Sequence, residues 1–177
     1  VRWLIACVLA VSSSFASADG PVYAELQLGA GRIDNGDLGF YPTFAGFNVG
    51  VYLVPNIGLE LFADSGLSSD EAGDFDMEME QAYGIALRFQ SPPQRGTQGY
   101  IVLGAVNYTL DQTSEASGAL PGTSINDDFT GARVSVGIMQ RLERIPNMQV
   151  SFEYRHYNSG ESLRLDALVL GLRVNAP

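Results

Sequence analysis

Between Val22 and Gly31 the chain alternates without a break: Val22, Ala24, Leu26, Leu28 and Ala30 share one parity, and Tyr23, Glu25, Gln27, Gly29 and Gly31 the other. A period of two sends successive side chains to opposite faces of a β-strand, and no helical face fits it. The pattern returns from Thr43 to Val54, where Ala45, Phe47, Val49, Val51 and Leu53 oppose Gly46, Asn48, Gly50 and Tyr52. It returns again from Ile57 to Asp64, Glu78 to Phe89, Phe129 to Leu142, Met148 to Tyr157 and about Leu163 to Val174. Tyr100 to Leu110 is apolar on both parities, a strand whose facing the alternation leaves open. Counted together these are eight strands, an even number.

The links carry a second signal. Those after the first, third and fifth strands (Ile33 to Pro42, Ser65 to Met77, Asp111 to Asp128) are long, polar and Gly-rich. Those after the second, at Pro55-Asn56, and the sixth, at Arg144 to Asn147, are short turns; the fourth, from Ser91-Pro92-Pro93, is intermediate, and Asn158 to Ser162 is short. In an up-and-down antiparallel barrel the odd-numbered links share one end, so long outer loops and short periplasmic turns account for the asymmetry.

The two strand faces differ in chemistry. One is Leu, Val, Ile, Ala and aromatic; the other holds Gly, Gln, Asn and Ser together with Glu25, Glu60, Glu80, Glu153, Arg88, Arg133, Arg141, Arg155 and Arg173. A soluble ligand-binding barrel shows the reverse, an apolar cavity within a charged exterior. A chain that is apolar outside and polar inside crosses a bilayer as a closed barrel, because closure pairs every backbone group. About 9 to 11 residues span the membrane at a tilt, which seven segments supply and the third falls slightly short of. In so narrow a barrel the interior is filled by side chains, so its acids and arginines are expected to pair as a polar core; a conduit formed by their rearrangement is the alternative.

Composition narrows the rest. Twenty acidic residues against ten basic ones, all Arg, give a formal net charge of -10, and a nucleic-acid partner is excluded because nothing offers phosphates a basic face. Arg2, the apolar run Trp3 to Val11 and Ala16-Ser17-Ala18 read as a secretory signal peptide over residues 1–18, with the barrel domain over 19–177. Its apolar run is too short for a spanning helix. Leu4-Ile5-Ala6-Cys7 offers a lipoprotein-type alternative, against which the apolar stretch continues past Cys7. Cys7 is the sole cysteine, so the mature chain forms no disulfide and no thiolate metal site.

Glu153-Tyr154-Arg155-His156-Tyr157-Asn158-Ser159-Gly160-Glu161, followed by Leu170-Gly171-Leu172-Arg173, resembles the end of the small outer-membrane β-barrel family that includes OmpA-like, OmpX-like and opacity-type porin-family proteins. Val22-Tyr23 to Gly31, Gly58-Leu59-Glu60, and Tyr100 to Tyr108 with Leu103-Gly104-Ala105 are similar to it as well, so the resemblance spans almost the whole mature chain. It implies an all-β, eight-stranded antiparallel up-and-down transmembrane barrel in the outer membrane of a Gram-negative bacterium. It also implies a non-enzymatic role in envelope integrity or surface interaction through acidic outer loops, with a narrow small-solute channel as an alternative. The partners expected are outer-membrane lipids, lipopolysaccharide and the barrel-assembly machinery; the chain is expected as a monomer without cofactor. Members of the family usually end on an aromatic residue, and this chain ends Arg173-Val174-Asn175-Ala176-Pro177.

Three further constellations bear on chemistry. Asp70, Glu71, Asp74, Asp76, Glu78 and Glu80 form the densest acidic run, and the last four recur every second residue. Oxygen-only clusters suit Ca²⁺ or Mg²⁺, although the spacing of an EF-hand loop is missing and a solvated, self-repelling loop is the plainer expectation. His156, the sole histidine, together with Ser159 and Asp166 resembles the His, Ser and acid set of outer-membrane lipid A deacylases. In those enzymes the serine lies two residues after the histidine, where this chain has Asn158, and a histidine at the membrane rim is the ordinary reading. Finally, Tyr23, Phe44, Tyr52, Phe89, Tyr100, Tyr108, Phe129 and Tyr157 lie near strand ends, where interfacial aromatic girdles are expected.

Overall fold

Turn chemistry sets where the wall reverses. Pro55-Asn56 joins two strands directly, Glu143-Arg144 joins another pair, and at the third reversal Arg95 (φ 53°) and Gly96 (φ 83°) adopt the paired left-handed conformation of a tight hairpin between Gln94 and Thr97. The structure, a computed structural model, describes residues 22–35, 38–72, 75–114, 123–158 and 164–176. Its strands are β1 (Val22–Asn35), β2 (Leu38–Phe40), β3 (Thr43–Val54), β4 (Ile57–Ser68), β5 (Asp70–Ala72), β6 (Phe75–Gln90), β7 (Thr97–Ser114), β8 (Thr123–Leu142), β9 (Ile145–Asn158) and β10 (Arg164–Asn175). The eight long strands form the wall, each antiparallel to its sequence neighbour, and β10 returns to β1 from Tyr23↔Asn175 to Asp34↔Arg164. The barrel is therefore closed. The short β2 and β5 fold back onto β1 and β6 at the loop end.

Parity decides what faces where. On β10, Leu168, Leu170, Leu172 and Val174 point out and are about half exposed, while Val169 and Arg173 point in and are fully buried. The rule runs around the wall, and it settles β7, where Ile101, Leu103 and Ala105 face out and Tyr100, Val102 and Val106 face in. Each long strand then carries one polar outward position near its loop end: Arg32, Thr43, Ser65, Gln81, Asn107, Thr130, Asn158 and Asp166. Between that polar ring and the turns runs a continuous apolar belt with about 20 Å of backbone height, given the strand rise and the tilt of such barrels. The third wall strand, short by its alternation, continues through Ser68 as β4.

Two expected facings are corrected. Glu80 points outward: Met79 pairs with Leu110 and Gln81 with Thr109, so Glu80 is the extra residue of a β-bulge, and Met79 faces inward against the alternation of the strand below. Arg141 has inward parity but lies beside a register shift at the turn end, where it is exposed.

Among the described residues, β6, β7 and β8 are paired up to Phe75↔Ser114↔Thr123, and β9 is paired with β8 up to Ala132↔Asn158.

Candidate functional site

Inside the barrel, inward parity on six different strands gathers four acids and four arginines, all buried. Near the turn end Arg173 donates to Glu25 (2.6 and 3.0 Å) and to Glu60 (3.3 Å), while Arg88 donates to Glu60 (2.5 Å) and to Glu25 (3.4 Å). These four residues form a closed ring in which each cation touches both anions. Nearer the loop end Arg133 donates to Glu153 (3.0 Å), and Arg155 donates to Glu153 (2.8 Å) and to Asp64 (2.8 Å). Gln27 joins the two groups, giving its amide N–H to Glu25 and accepting from Arg155. Four charges of each sign leave the interior neutral, the condition under which buried ions are tolerated.

The aromatic residues complete this core. Arg88 stacks over Tyr100 and Arg173 over Tyr23, each at 3.9 Å, and Arg133 lies 4.3 Å over Phe62. Tyr23 donates to Glu60 (2.8 Å), Tyr100 to Glu153 (3.1 Å) and Tyr157 to Asp64 (2.6 Å). This overturns the girdle for seven of its eight members: Tyr23, Phe44, Tyr100, Tyr108 and Tyr157 are buried inside the barrel, Tyr52 packs on Tyr23 and accepts from Arg173, and Phe129 packs on the core against Tyr108. The physical reason is that an inward ring both packs and hydrogen-bonds a buried carboxylate, and glycines make the room: a Cβ at Gly50 would strike the ring of Tyr23, and one at Gly137 the ring of Tyr100. Among the described residues, the exposed aromatic side chains are Tyr83, Phe89, Phe152 and Tyr154 on the wall strands and Tyr41 in the link before β3.

At the loop end the lumen closes over with apolar side chains. Ile33, Phe40, Phe44, Met79, Leu110 and Leu165 are all buried in one cluster, Phe40 being brought there by the fold-back of β2. Sequence parity carried no sign of Phe40, which lies in a link, or of Met79, which lies next to the bulge.

Outside this cap the charge is one-sided. The segments 32–43, 65–81, 107–130 and 156–166 hold fourteen acidic residues and two arginines, a formal charge of -12. The turn end holds Arg95 and Arg144 in its links and Arg141 at the end of β8, against Glu143. Of the proposed cation ligands, Asp74 lies outside the described residues; Asp70 is opposite Met77, Asp76 opposite Glu71 and Glu78 opposite Asp111, and Glu80 is exposed on the bulge. Among the described residues no three acidic, His or Cys side chains converge as metal ligands.

His156 and Asp166 are cross-strand partners on the outer face of β9 and β10, with Nδ1 of His156 2.7 Å from Asp166 Oδ1. The hydroxyl that joins them is that of Tyr154, which donates to the same oxygen at 2.7 Å. Ser159 and the signal segment 1–18 lie outside the described residues.

Comparison with known proteins agrees with this architecture. No curated protein matches the chain significantly in sequence. Neisserial surface protein A (NspA) superposes with a TM-score of 0.67 at 15% identity, over 86% of this chain and 96% of that one. Ail, the attachment invasion locus protein of Yersinia pestis, superposes at 0.65 and 13%, over 89% and 99%. The N-terminal β-barrel domain of Pseudomonas aeruginosa OprF gives 0.52 and 12%, over 84% and 96%. At such identities the likeness is one of fold. The family model described as outer membrane protein beta-barrel domain matches residues 3–175, so the chain belongs to the outer-membrane β-barrel protein family.

Proposed function

We propose that this chain is a non-enzymatic, non-conducting barrel of the Gram-negative outer membrane that serves envelope integrity or surface interaction by holding an acidic loop end at the cell surface. The observation that carries the reading is the inversion of the wall: Glu25, Glu60, Glu153 and four arginines are buried inside, while Leu28, Leu168 and Leu170 stand outside more than half exposed. Water on that outer face would be unfavourable and hydrocarbon favourable, by about 25 cal/mol per Å² of apolar surface. The belt's partners are then membrane lipids, with lipopolysaccharide at the polar ring, and the assembly machinery that inserts the barrel. The neutral ring, the second ion group and the apolar cap leave no charged file for ions to follow, which favours an anchor over a channel.

The loop end selects partners by charge. One Ail structure is in complex with the heparin analogue sucrose octasulfate; the formal charge of -12 at the loop end of this chain repels a polyanion of that kind. The reading is tested by fractionation with a heat-mobility assay on extracted membranes. Recovery in the membrane fraction and a mobility shift between unheated and boiled samples support it; soluble periplasmic recovery overturns it.

A further inference from the structure

We infer that Arg95, Arg141 and Arg144, gathered by two docked turns at the turn end of the barrel, form a binding site for the phosphate of an anionic phospholipid headgroup. The inference rests on the membrane reading above and names a lipid class for the end opposite the acidic loops.

The backbone brings the three together. Residues 94–97 close a two-residue hairpin, in which Gln94 N–H donates to the Thr97 carbonyl (2.9 Å) and Thr97 N–H to the Gln94 carbonyl (3.0 Å). That hairpin is fastened to the end of β8. Arg141 N–H donates to the Gly96 carbonyl (2.9 Å), Thr97 Oγ1 donates to Gln140 Oε1, and a Cβ at Gly96 would sit 2.9 Å from Gln140 Nε2. Arg95 therefore adjoins the acceptor of the bond whose donor is Arg141, and Arg144 lies in the turn that leads from Arg141 into β9. Ser91 braces the other side of the hairpin: its N–H donates to the Gly99 carbonyl (2.8 Å), and its hydroxyl accepts from Gly99 N–H (3.0 Å). A backbone held in this way lowers the ordering cost of binding.

Arg95 stands where its residue type is unfavoured. At φ 53° it takes the first central position of a hairpin whose left-handed residues are ordinarily Asn, Asp or Gly, and Gly96, at φ 83°, fills the second in the ordinary way. A left-handed backbone brings Cβ against the following carbonyl, a cost that persists at sites with a use for the side chain. The turn itself gains nothing from a guanidinium there, so the use lies in the charge.

Level and charge identify the ligand. All three arginines are exposed, and among the described residues of the turn end the one acid that faces them is Glu143. The apolar belt begins beside them, with Ile138 on β8 57% exposed, and Ile101 on β7 and Ile145 on β9 both 49% exposed. The arginines thus stand where acyl chains give way to headgroups, and an Arg stem lies along apolar surface while its head reaches out. Guanidinium matches phosphate oxygens in a bidentate fork. A zwitterionic headgroup brings its own ammonium against the arginines, whereas an anionic headgroup does not, so the site favours the anionic lipid.

The test uses the purified full barrel in neutral maltoside micelles, with the arginine Nε–H signals followed by NMR. The probes are phosphatidylglycerol, phosphatidylcholine and inorganic phosphate. Expected are saturable shifts of Arg95, Arg141 and Arg144 with phosphatidylglycerol, at least about fivefold tighter than with either other probe, while the signals of the buried Arg88, Arg133, Arg155 and Arg173 stay in place. R141Q/R144Q should weaken phosphatidylglycerol about tenfold or more at low salt. R95N supplies a residue type that the turn prefers, so it should keep or raise the urea midpoint and still weaken the lipid about fivefold. Unchanged lipid binding in R95N, equal binding of phosphatidylcholine or of inorganic phosphate, shifts confined to the loop end, or no saturable shift would each overturn the inference. A barrel recovered in membranes that shows no such site leaves the membrane reading standing, and soluble periplasmic recovery with the lipid site intact overturns that reading alone.

Discussion

Removing Glu25 or Arg173 singly should cost far more stability than removing both. Glu25 accepts two hydrogen bonds from Arg173 (2.6 and 3.0 Å), one from Arg88 (3.4 Å), one from Ser151 (2.5 Å) and one from Gln27 (3.1 Å). With Glu25→Ala, Arg88 and Arg173 are left sharing Glu60, and the neutral interior gains one uncompensated positive charge. Neither cation can reach water, since both are fully buried. Breaking a buried pair by deleting one partner costs about 3–5 kcal/mol, most of it the desolvation of the charge that remains. Arg173→Ala should fall in the same range, because it strands Glu25 on its longer contact to Arg88 and removes a guanidinium packed on Tyr23.

Paired removal restores neutrality. A Glu25→Leu/Arg173→Leu variant keeps apolar volume in the lumen and, measured against the Glu25→Leu and Arg173→Leu singles, should cost less than their sum, with a coupling energy of about 2–3 kcal/mol between two contacting charges. The assay is urea unfolding of the barrel in lipid vesicles, followed by tryptophan-free probes such as the folded-band mobility, for the wild type, both singles and the double. Single costs below about 1 kcal/mol with additive doubles are what solvent-exposed pairs show. That outcome would mean the interior is flooded with water and that the ion ring is not what holds the barrel together.

Three further outcomes follow from the same geometry. Leu170→Arg, in the middle of the apolar belt, should destabilise the lipid-inserted barrel by about 2–4 kcal/mol, while Gln81→Arg in the polar ring should cost about 1 kcal/mol or less, both read by unfolding in vesicles; equal costs would refute a bilayer around the belt. Gly50→Val should cost about 1–3 kcal/mol because its Cβ meets the Tyr23 ring that is held by the hydrogen bond to Glu60, and a neutral result would show that ring free to move. Purified protein should leave lipid A intact after long incubation, with wild type and His156→Ala indistinguishable; acyl-chain release that His156→Ala abolishes would establish the hydrolase instead.

Parity made the facing of Glu25, Glu60, Glu153, Arg88, Arg133, Arg155 and Arg173 readable from the sequence, because an unbroken strand obliges alternate residues to share a side. The same parity pointed inward for Tyr23, beside Glu25, and for Tyr157, beside Arg155, and nearness to the strand ends was the wrong guide for them. Pairing could not be read at all. Glu25 meets Ser151 and Arg173, 126 and 148 positions away, and Arg155 meets Gln27 across 128. Such contacts are set by the closure register of β10 on β1, which no local pattern encodes. Glu80 shows the other limit: one extra residue in β6 turns Met79 inward and Glu80 outward against the alternation of the strand below, and nothing in Met79-Glu80-Gln81 announces a bulge.

The neutral interior and the acidic loop end are two sides of one electrostatic arrangement. Since four acids and four arginines cancel inside the wall, almost all the net charge of the chain must reside in its ends, and the links divide it unequally. Fourteen acids stand at the loop end, whereas the turn end carries three arginines and one glutamate. Counter-ions in the surrounding water screen the loop-end charge, so its potential is felt within a Debye length of the surface, ~8 Å at physiological salt. Within that range lies the polar ring at the top of the belt, so a cation approaching from outside is drawn to the loop end, and this needs no opening of the lumen.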